Sequence, residues 1–358
     1  MARKHPYAGL PDRQFWKKEP GIADPALFDP VTDVPFKLAP DDKVVTAGSC
    51  FAQHVARFMT QSGFHHYIAE PAHPIVSDAV AKAHNYGLFS ARYGNIYTAR
   101  QLLQLIQRAC GTFTPRVDHW PARGGQGVVD PFRPQIQPGG FLGPHELAAD
   151  RTQHLAAVRD ALETMDVFVF TLGLTEAWVD TTDGAVYPLA PGVAGGVWDD
   201  DAVQFHNFTL AETIADLRAA LALIRDINPA VRFVLTVSPV PLNATYTDRH
   251  VFTATTYSKA VLRLAAEEVR NSTPDCAYFP SYEVITAPHV RGRYFASDCR
   301  EVLEDGVRHA MSLFFRHFAD HDIATPLANP APARQPDAHL AQMEKAIAVM
   351  CDEEAIEN

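Results

Sequence analysis

An apolar run that stops at a glycine constrains the fold of this chain more than any other feature. Val44-Val45-Thr46-Ala47 ends at Gly48-Ser49-Cys50, and a stretch with helical periodicity follows at once, with Val55, Phe58 and Met59 on one face. This order predicts a strand, a tight turn and a helix. At such a junction the backbone N–H groups of the first helical turn point at whatever docks there.

Strands and helices continue to alternate along the chain. Periodicity predicts strands at about 43–46, 166–172, 231–237 and 277–279, and helices at about 52–62, 99–109, 144–164, 210–227, 257–271 and 303–318. Such alternation implies βαβ units, so we expect an α/β fold: a three-layer α/β/α sandwich around a mainly parallel sheet. In these sheets the ligand crevice lies at the carboxyl ends of the strands, where the predicted strands here end in polar or turn residues.

The ends of the chain differ in composition from its middle. Residues 1–40 are rich in Pro, Asp and Lys and are predicted to form an irregular arm, with the main domain at 41–322. We interpret 323–358 as a Pro/Ala-rich linker and a C-terminal helix near 338–354, which is expected to serve either in a homo-oligomer or as a docking element. The Gly- and Pro-rich stretch 111–145 is predicted to be a long surface loop, either functional or inserted.

Charge and cysteine usage exclude several classes of protein. With Lys+Arg 31 and Asp+Glu 42 the net charge is 31 − 42 = −11, so a nucleic acid is not an expected partner. No apolar run approaches the roughly 20 residues that span a bilayer, and no signal peptide is visible, so we expect no membrane association and a cytoplasmic location. Five scattered cysteines without a CxxC pair indicate reduced thiols, and no His/Cys/Asp cluster has metal-ligand spacing.

Cys50 and Ser49 each have two interpretations. A thiol at a helix N-terminus is activated by the helix dipole and can act as a nucleophile, but free cysteines are also common as small buried core residues. Ser49 is either an N-cap of the helix or an alternative nucleophile.

Several short motifs, spread over about residues 43–315, resemble the GSCFA family, a bacterial group placed beside the SGNH/GDSL hydrolases. These motifs are Gly48-Ser49-Cys50-Phe51-Ala52, Gly94-Asn95-Ile96-Tyr97, Phe170–Glu176, Phe205-His206-Asn207-Phe208, Leu235–Leu242, His250-Val251, Tyr257-Ser258-Lys259 and Tyr278–Glu283. The resemblance implies a flavodoxin-like, SGNH hydrolase-like sheet.

The resemblance also implies roles for individual residues. Cys50 falls on the SGNH nucleophile position, Gly94 on the glycine that donates to the oxyanion hole, and the adjoining Asn95 becomes a candidate substrate contact. The usual oxyanion-binding Asn is replaced by Thr175, whose hydroxyl could donate instead, and Asn207 is a second candidate.

The general base is the missing part of this pattern. The block that ordinarily carries the catalytic His corresponds to Asp298-Cys299-Arg300-Glu301, with Asp298 retained and Glu in place of His. His250 and His206 follow strands or loops at the expected crevice and are the candidate bases. Glu176, just past a strand end, either orients a histidine or holds a substrate hydroxyl, or else it serves as a cap or ion-pair partner. Arg300 and Lys259 are candidates for binding an anionic substrate group.

These residues predict acyl chemistry. The expected activity is that of an esterase or O-acyltransferase acting on an ester-linked acetyl or other acyl group of a small molecule or a glycan. No cofactor is expected, except an acyl donor such as acetyl-CoA if the enzyme is a transferase. The alternative is a catalytically inactive binding or scaffold protein on a degenerate hydrolase fold.

Overall fold

The computed structural model describes residues 5–319 and 352–357. Its α-helices are α1 (Phe51–Gln61), α2 (Asp78–Ala83), α3 (Ala99–Ala109), α4 (Pro144–Thr164), α5 (Leu210–Ile227), α6 (Val251–Ser272), α7 (Ser281–Thr286) and α8 (Glu304–Phe318). Its strands are β1 (Val44–Gly48), β2 (Trp120–Pro121), β3 (Val128–Val129), β4 (Val167–Leu172), β5 (Glu176–Asp180), β6 (Val186–Tyr187), β7 (Val203–Asn207), β8 (Arg232–Val237) and β9 (Cys276–Phe279).

The central sheet is parallel and has the strand order β1-β4-β8-β9. A further parallel bridge joins Val44 of β1 to His66, so the extended chain at His66 lies on the other side of β1. If the segment at His66 is counted as the second strand in chain order, the strands lie across the sheet in the order 2-1-3-4-5. This is the flavodoxin-like arrangement. Its switch point lies between β1 and β4, which is where a ligand crevice is expected in such a sheet.

Helices cover both faces of this sheet, because successive side chains of each strand point to opposite sides. Phe168 and Phe170 of β4 pack in one core with α3, α4, α5 and α6. Val167 and Val169 pack in a second core with α1, α7 and α8. All six residues of β4 are buried, as a central parallel strand requires. The predicted three-layer α/β/α fold with a parallel central sheet is confirmed.

The structure also contains strands that sequence periodicity did not indicate. β5, β6 and β7 form an antiparallel sheet in the order β6-β5-β7, and β2 pairs with β3 inside the predicted long loop. Helix α6 begins at Val251, six residues before its predicted start, because His250 caps it. β2, β3 and β6 have two residues each and therefore no readable period, so these short pairings are stabilised by the surrounding structure.

Buried ion pairs hold the 111–143 region against the domain. Arg133 Nε lies 3.0 Å from Asp130 Oδ2, and both side chains are almost fully buried. Arg133 also pairs with Asp150 of α4, which lies 2.9 Å from Arg92 Nη1. This region is consequently folded onto the domain by charge pairs as well as by its own apolar contacts.

The two ends of the described chain also contact the domain. In the arm, short 3-10 helices lie at Asp12–Gln14, Trp16–Lys18, Pro20–Ile22 and Pro25–Leu27. Leu38 N donates to Phe318 O, and Asp29 pairs with His317 at 2.8 Å, so the arm packs on α8. Most of the predicted C-terminal helix, up to residue 351, lies outside the described residues; Asp352–Glu357, the C-terminal segment, forms a 3-10 helix.

Within residues 5–319 and 352–357, no helix combines the length and the apolar character that a membrane crossing requires.

Candidate functional site

The turn after β1 requires a glycine at position 48. Gly48 has φ +137°, and a Cβ added there would lie 2.3 Å from Thr171 O of the neighbouring strand. Ser49 N donates to the same Thr171 oxygen at 3.1 Å, which extends the sheet up to the turn. Because β1 and β4 approach this closely, the chain can turn directly into α1.

Cys50 occupies the N-cap position of α1, with helical dihedral angles and 5% of its surface exposed. The thiol therefore sits at the positive end of an eleven-residue helix, as the sequence predicted. Ser49 lies one residue earlier, and its buried hydroxyl has no hydrogen-bond partner among the described residues. No side-chain cap closes α1, so the N-cap role considered for Ser49 is not observed.

The loop that carries Gly94 and Asn95 lies against this turn. Ile96 N donates to Gly48 O at 2.8 Å, and Gln53 Nε2 of α1 donates to Asn95 Oδ1 at 3.0 Å. Asn95 is 2% exposed, so the bond from Gln53 fixes the orientation of a buried amide. Its NH₂ group is thereby turned away from Gln53, and it donates to Asp352 Oδ2 at 3.0 Å.

The loop after β4 lies beside the Gly94–Tyr97 loop, and we call the region between these loops, the β1 turn and α6 the crevice. Gly173 N and Leu174 N both donate to Tyr97 O at 3.0 Å, which joins this loop to the Gly94–Tyr97 loop. Thr175 Oγ1 donates to Asn207 Oδ1 at 2.7 Å. The hydroxyl proton of Thr175 is thus directed to Asn207, and the amide NH₂ of Asn207 is the donor that this pair offers to a ligand.

Lys259 of α6 lies fully buried at this crevice. Its Nζ donates to Gly173 O at 2.8 Å, and 2% of the residue is exposed. Burial lowers the pKa of Lys259 to about 8; the charges of Glu353 and Cys50 oppose this shift, and the like charge of Arg300 adds to it. A lysine that acts electrostatically on the thiol and titrates near neutral pH is a candidate proton carrier.

From the sequence we expected Lys259 only as a possible anion-binding residue, although its position in the helix also indicates that it is buried. Lys259 shares one face of α6 with the buried residues Leu262, Ala266 and Val269. A lysine in an apolar helical stripe is buried, and a buried lysine loses proton affinity.

The two candidate histidines make other contacts. His250 is exposed, and its Nδ1 accepts the N–H of Phe252 at 3.1 Å as the N-cap of α6. His206 lies in β7, and its Nε2 is 2.9 Å from Glu212 Oε1. Their hydrogen bonds within the described residues go to these groups, and neither joins Cys50.

The two candidate acids stabilise loops. Glu176 begins β5 and accepts hydrogen bonds from Thr245 Oγ1 at 2.6 Å and Tyr246 N at 3.2 Å, while burial raises its pKa. Asp298 is exposed and accepts the backbone N–H groups of Arg300 and Glu301 at 3.0 and 3.1 Å. Asp298 therefore shapes the turn that presents Arg300 to the crevice.

The C-terminal segment inserts two carboxylates into this crevice. Asp352 is 3% exposed, and its Oδ2 accepts hydrogen bonds from Asn95 Nδ2 at 3.0 Å and from the Tyr97 hydroxyl at 3.4 Å. Glu353 is also buried and pairs with Arg300 Nη2 at 3.1 Å. The sequence suggested an oligomerisation or docking role for this end of the chain, but it did not indicate Asn95, Tyr97 or Arg300 as the partners of these carboxylates.

Comparisons with known proteins find solved structures that are similar to this chain. The structure is similar to a family 3 carbohydrate esterase of Clostridium thermocellum, with 11% identity, TM-score 0.29, and coverage of 77% of this chain and 94% of that one. It is also similar to a variant of Axe2, an acetyl-xylooligosaccharide esterase from Geobacillus Stearmophilus, with 15% identity, TM-score 0.30, and coverage of 80% and 98%. No curated protein matches the sequence.

The model of the GSCFA family matches residues 43–314, which include the β1 turn, the Gly94–Tyr97 loop, Lys259 and Arg300. This match extends over most of the chain and contains the sequence motifs from which the resemblance was inferred. The chain belongs to the GSCFA family.

Proposed function

We propose that this protein is an acyl-ester hydrolase that uses Cys50 as its nucleophile. One observation carries the proposal: the donors beside the β1 turn, Asn95 Nδ2 and the Tyr97 hydroxyl, hold an oxygen of the Asp352 carboxylate. An ester carbonyl that is attacked by a thiolate develops negative charge on its oxygen, and donors of this kind stabilise that charge. The backbone N–H groups of Cys50 and Gly94 complete the proposed oxyanion site.

In the proposed mechanism, Lys259 moves the protons. Neutral Lys259 takes the proton of the Cys50 thiol, and the thiolate sulfur forms a bond to the acyl carbon. As the tetrahedral intermediate collapses, the C–O bond breaks and the Lys259 ammonium protonates the departing alkoxide. Neutral Lys259 then takes a proton from water, the hydroxide attacks the thioester, and the departing thiolate takes the proton back from the Lys259 ammonium. A pKa of about 8 keeps both forms of Lys259 populated near neutral pH.

Lys259 is a better candidate for this role than either histidine. His250 is exposed and caps a helix, and His206 is bound to Glu212. Lys259 is buried at the crevice and interacts electrostatically with Cys50. The missing His in the Asp298–Glu301 turn does not leave the site without a titratable group.

The same thioester permits transfer if an acceptor hydroxyl replaces water. A donor such as acetyl-CoA would then acylate Cys50, and a glycan hydroxyl would receive the acyl group. We propose an O-acylated glycan as the substrate class on the basis of the family resemblance. The alternative, a silent binding protein on this fold, is favoured by the crevice being filled by the chain's own carboxylates.

Turnover of p-nitrophenyl acetate by the full-length chain distinguishes the proposed ester hydrolase from an inactive binding protein. We expect Cys50→Ala and Lys259→Met each to lower kcat/KM by about a hundredfold or more, as is typical for a nucleophile and its proton carrier. His250→Ala and the thiol control Cys110→Ser should change it by less than about threefold. Equal turnover by Cys50→Ala and the unsubstituted chain would remove Cys50 from the chemistry.

A further inference from the structure

The contacts around Glu353 define a carboxylate-binding position in the crevice. Arg300 Nη2 lies 3.1 Å from Glu353 Oε2, and the backbone N–H of Asn243 donates to Glu353 Oε1 at 3.2 Å. The charge of Lys259 also favours the ionised form of this carboxylate. A guanidinium and a backbone donor thus contact one carboxylate, and an ammonium acts on it through its charge, in a chain whose net charge is −11.

This donor set suits a carboxylate ligand in general. A planar guanidinium presents its N–H groups to carboxylate oxygens, and charge-assisted hydrogen bonds of this kind are stronger than neutral ones. Asn243 lies between β8 and α6, and Arg300 lies between α7 and α8, so both donors belong to the main domain and not to the C-terminal segment.

We propose that Arg300, Asn243 and Lys259 form an anion subsite that binds a carboxylate of the substrate, and that the C-terminal segment occupies it as an internal competitor. The substrate class is then an acyl ester that also carries a carboxylate, such as an acylated uronic acid. This inference rests on the proposed esterase function, because it assigns the subsite to the same crevice.

The energetics of the two carboxylates make the segment displaceable. Desolvation raises the pKa of Asp352 to about 6, although hydrogen bonds from Asn95 and Tyr97 oppose the shift. Burial likewise raises the pKa of Glu353. Each ionised carboxylate consequently enters the crevice at a desolvation cost, which weakens the docking of the segment at neutral pH. A ligand with a carboxylate and additional contacts can therefore compete with it.

Calorimetric titration of the full-length chain tests this subsite without requiring catalysis. The probes are glucuronate, which has a carboxylate, and glucose, which lacks one. Asp352→Ala/Glu353→Ala removes both competing side chains, and Glu354→Ala changes an exposed carboxylate of the same segment as the control. We expect the double variant to bind glucuronate at least tenfold more tightly than the unsubstituted chain or Glu354→Ala. Glucose should bind to none of them.

Adding Arg300→Gln to the double variant should weaken glucuronate binding at least tenfold. Equal affinities of the double variant and the unsubstituted chain, or unchanged binding after Arg300→Gln, would overturn the proposal. The two proposals can fail separately: glucuronate binding without turnover of any ester contradicts the esterase function alone. Turnover of p-nitrophenyl acetate without glucuronate binding contradicts the subsite alone.

Discussion

Lys259 Nζ donates a hydrogen bond of 2.8 Å to the carbonyl oxygen of Gly173, in the loop that follows β4. This bond fixes a buried ammonium at the switch point of the sheet, where Cys50 begins α1. The carbonyl dipole does not neutralise the charge of Lys259, so the charge acts on the groups around it. The reactivity of this site therefore depends on the electrostatic interaction of Lys259 with Cys50.

The first prediction concerns the reactivity of the Cys50 thiol. A nearby ammonium stabilises the thiolate, so Lys259→Met should move the pH profile of Cys50 alkylation to higher pH and slow alkylation at pH 7 by about tenfold. Iodoacetamide labelling followed by peptide mass spectrometry measures the rate at Cys50. Lys17→Met, at an exposed position of the arm, is the matched control. Overlapping pH profiles for Lys259→Met and Lys17→Met would refute the electrostatic pairing.

The second prediction concerns the pH dependence of the C-terminal segment. Docking raises the pKa of Asp352 from an ordinary 3.8 to about 6, chiefly by desolvation. For an acid whose pKa is raised, the docked state is favoured fully below the lower pKa and loses stability as pH rises through the higher one. Glu353 shifts in the same direction. Docking should therefore weaken between about pH 4 and 6.

Fluorescence anisotropy of a dye attached to the chain end reports this docking. We expect the anisotropy to fall as the pH rises through about 6 and the fall to be reduced in Asp352→Asn, whose side chain does not titrate. Since Lys259 loses its charge above its pKa of about 8, a second decrease is expected there. An anisotropy that rises with pH over this range would contradict the sign of the shift.

The third prediction concerns the β1 turn. In Gly48→Ala, the alanine would have to adopt φ +137°, and its Cβ would lie only 2.3 Å from Thr171 O. Strands β1 and β4 must therefore separate. We expect it to lower the free energy of unfolding by more than about 2 kcal/mol. Gly63→Ala is the control: its φ is +78°, but its added Cβ meets no atom within 4 Å. Strain alone should cost about 1 kcal/mol there. Urea unfolding compares the two, and equal losses would show that the close approach does not matter.

The fourth prediction concerns the buried ion pairs of the 111–143 region. Asp130→Ala removes one of the two carboxylate partners of the buried Arg133 guanidinium and leaves Asp150 as the other. Breaking a buried ion pair typically costs about 3–5 kcal/mol, and we expect a loss at the lower end of that range. Asp41→Ala, at an exposed position, should stay within about 0.5 kcal/mol of the unsubstituted chain. Thermal and urea unfolding measure both variants. A small effect of Asp130→Ala would show that the region does not depend on this pair.

Much of the fold could be read from the sequence. The bounds of α3, α4 and α5 match the predicted helices, because long amphipathic segments with clear ends have a strong period. The apolar run of β4 likewise identified a buried strand. β6 could not be found in this way, because two residues show no alternation and its pairing with β5 depends on the tertiary structure.

The candidate site was predictable only in part. The order of strand, glycine and helix predicted Cys50 as a candidate nucleophile, and the family resemblance predicted Asn95 as a candidate substrate contact. The pKa of Lys259 is lowered chiefly by burial. This burial depends on other elements that pack against α6, and the sequence of one helix does not reveal them. Asp352 reaches the crevice from a position more than 250 residues away from its partner Asn95, and no local pattern encodes that contact.

The central claim, that Cys50 attacks an ester with the help of Lys259, is tested most directly by trapping the acyl-enzyme. The chain is mixed with p-nitrophenyl acetate, quenched in acid and digested, and the peptides are examined by mass spectrometry. We predict an acetyl thioester on the peptide that carries Cys50, formed much more slowly in Lys259→Met. Acetylation of Ser49 or of no residue in this peptide, or an equal rate of thioester formation in Lys259→Met, would contradict the account.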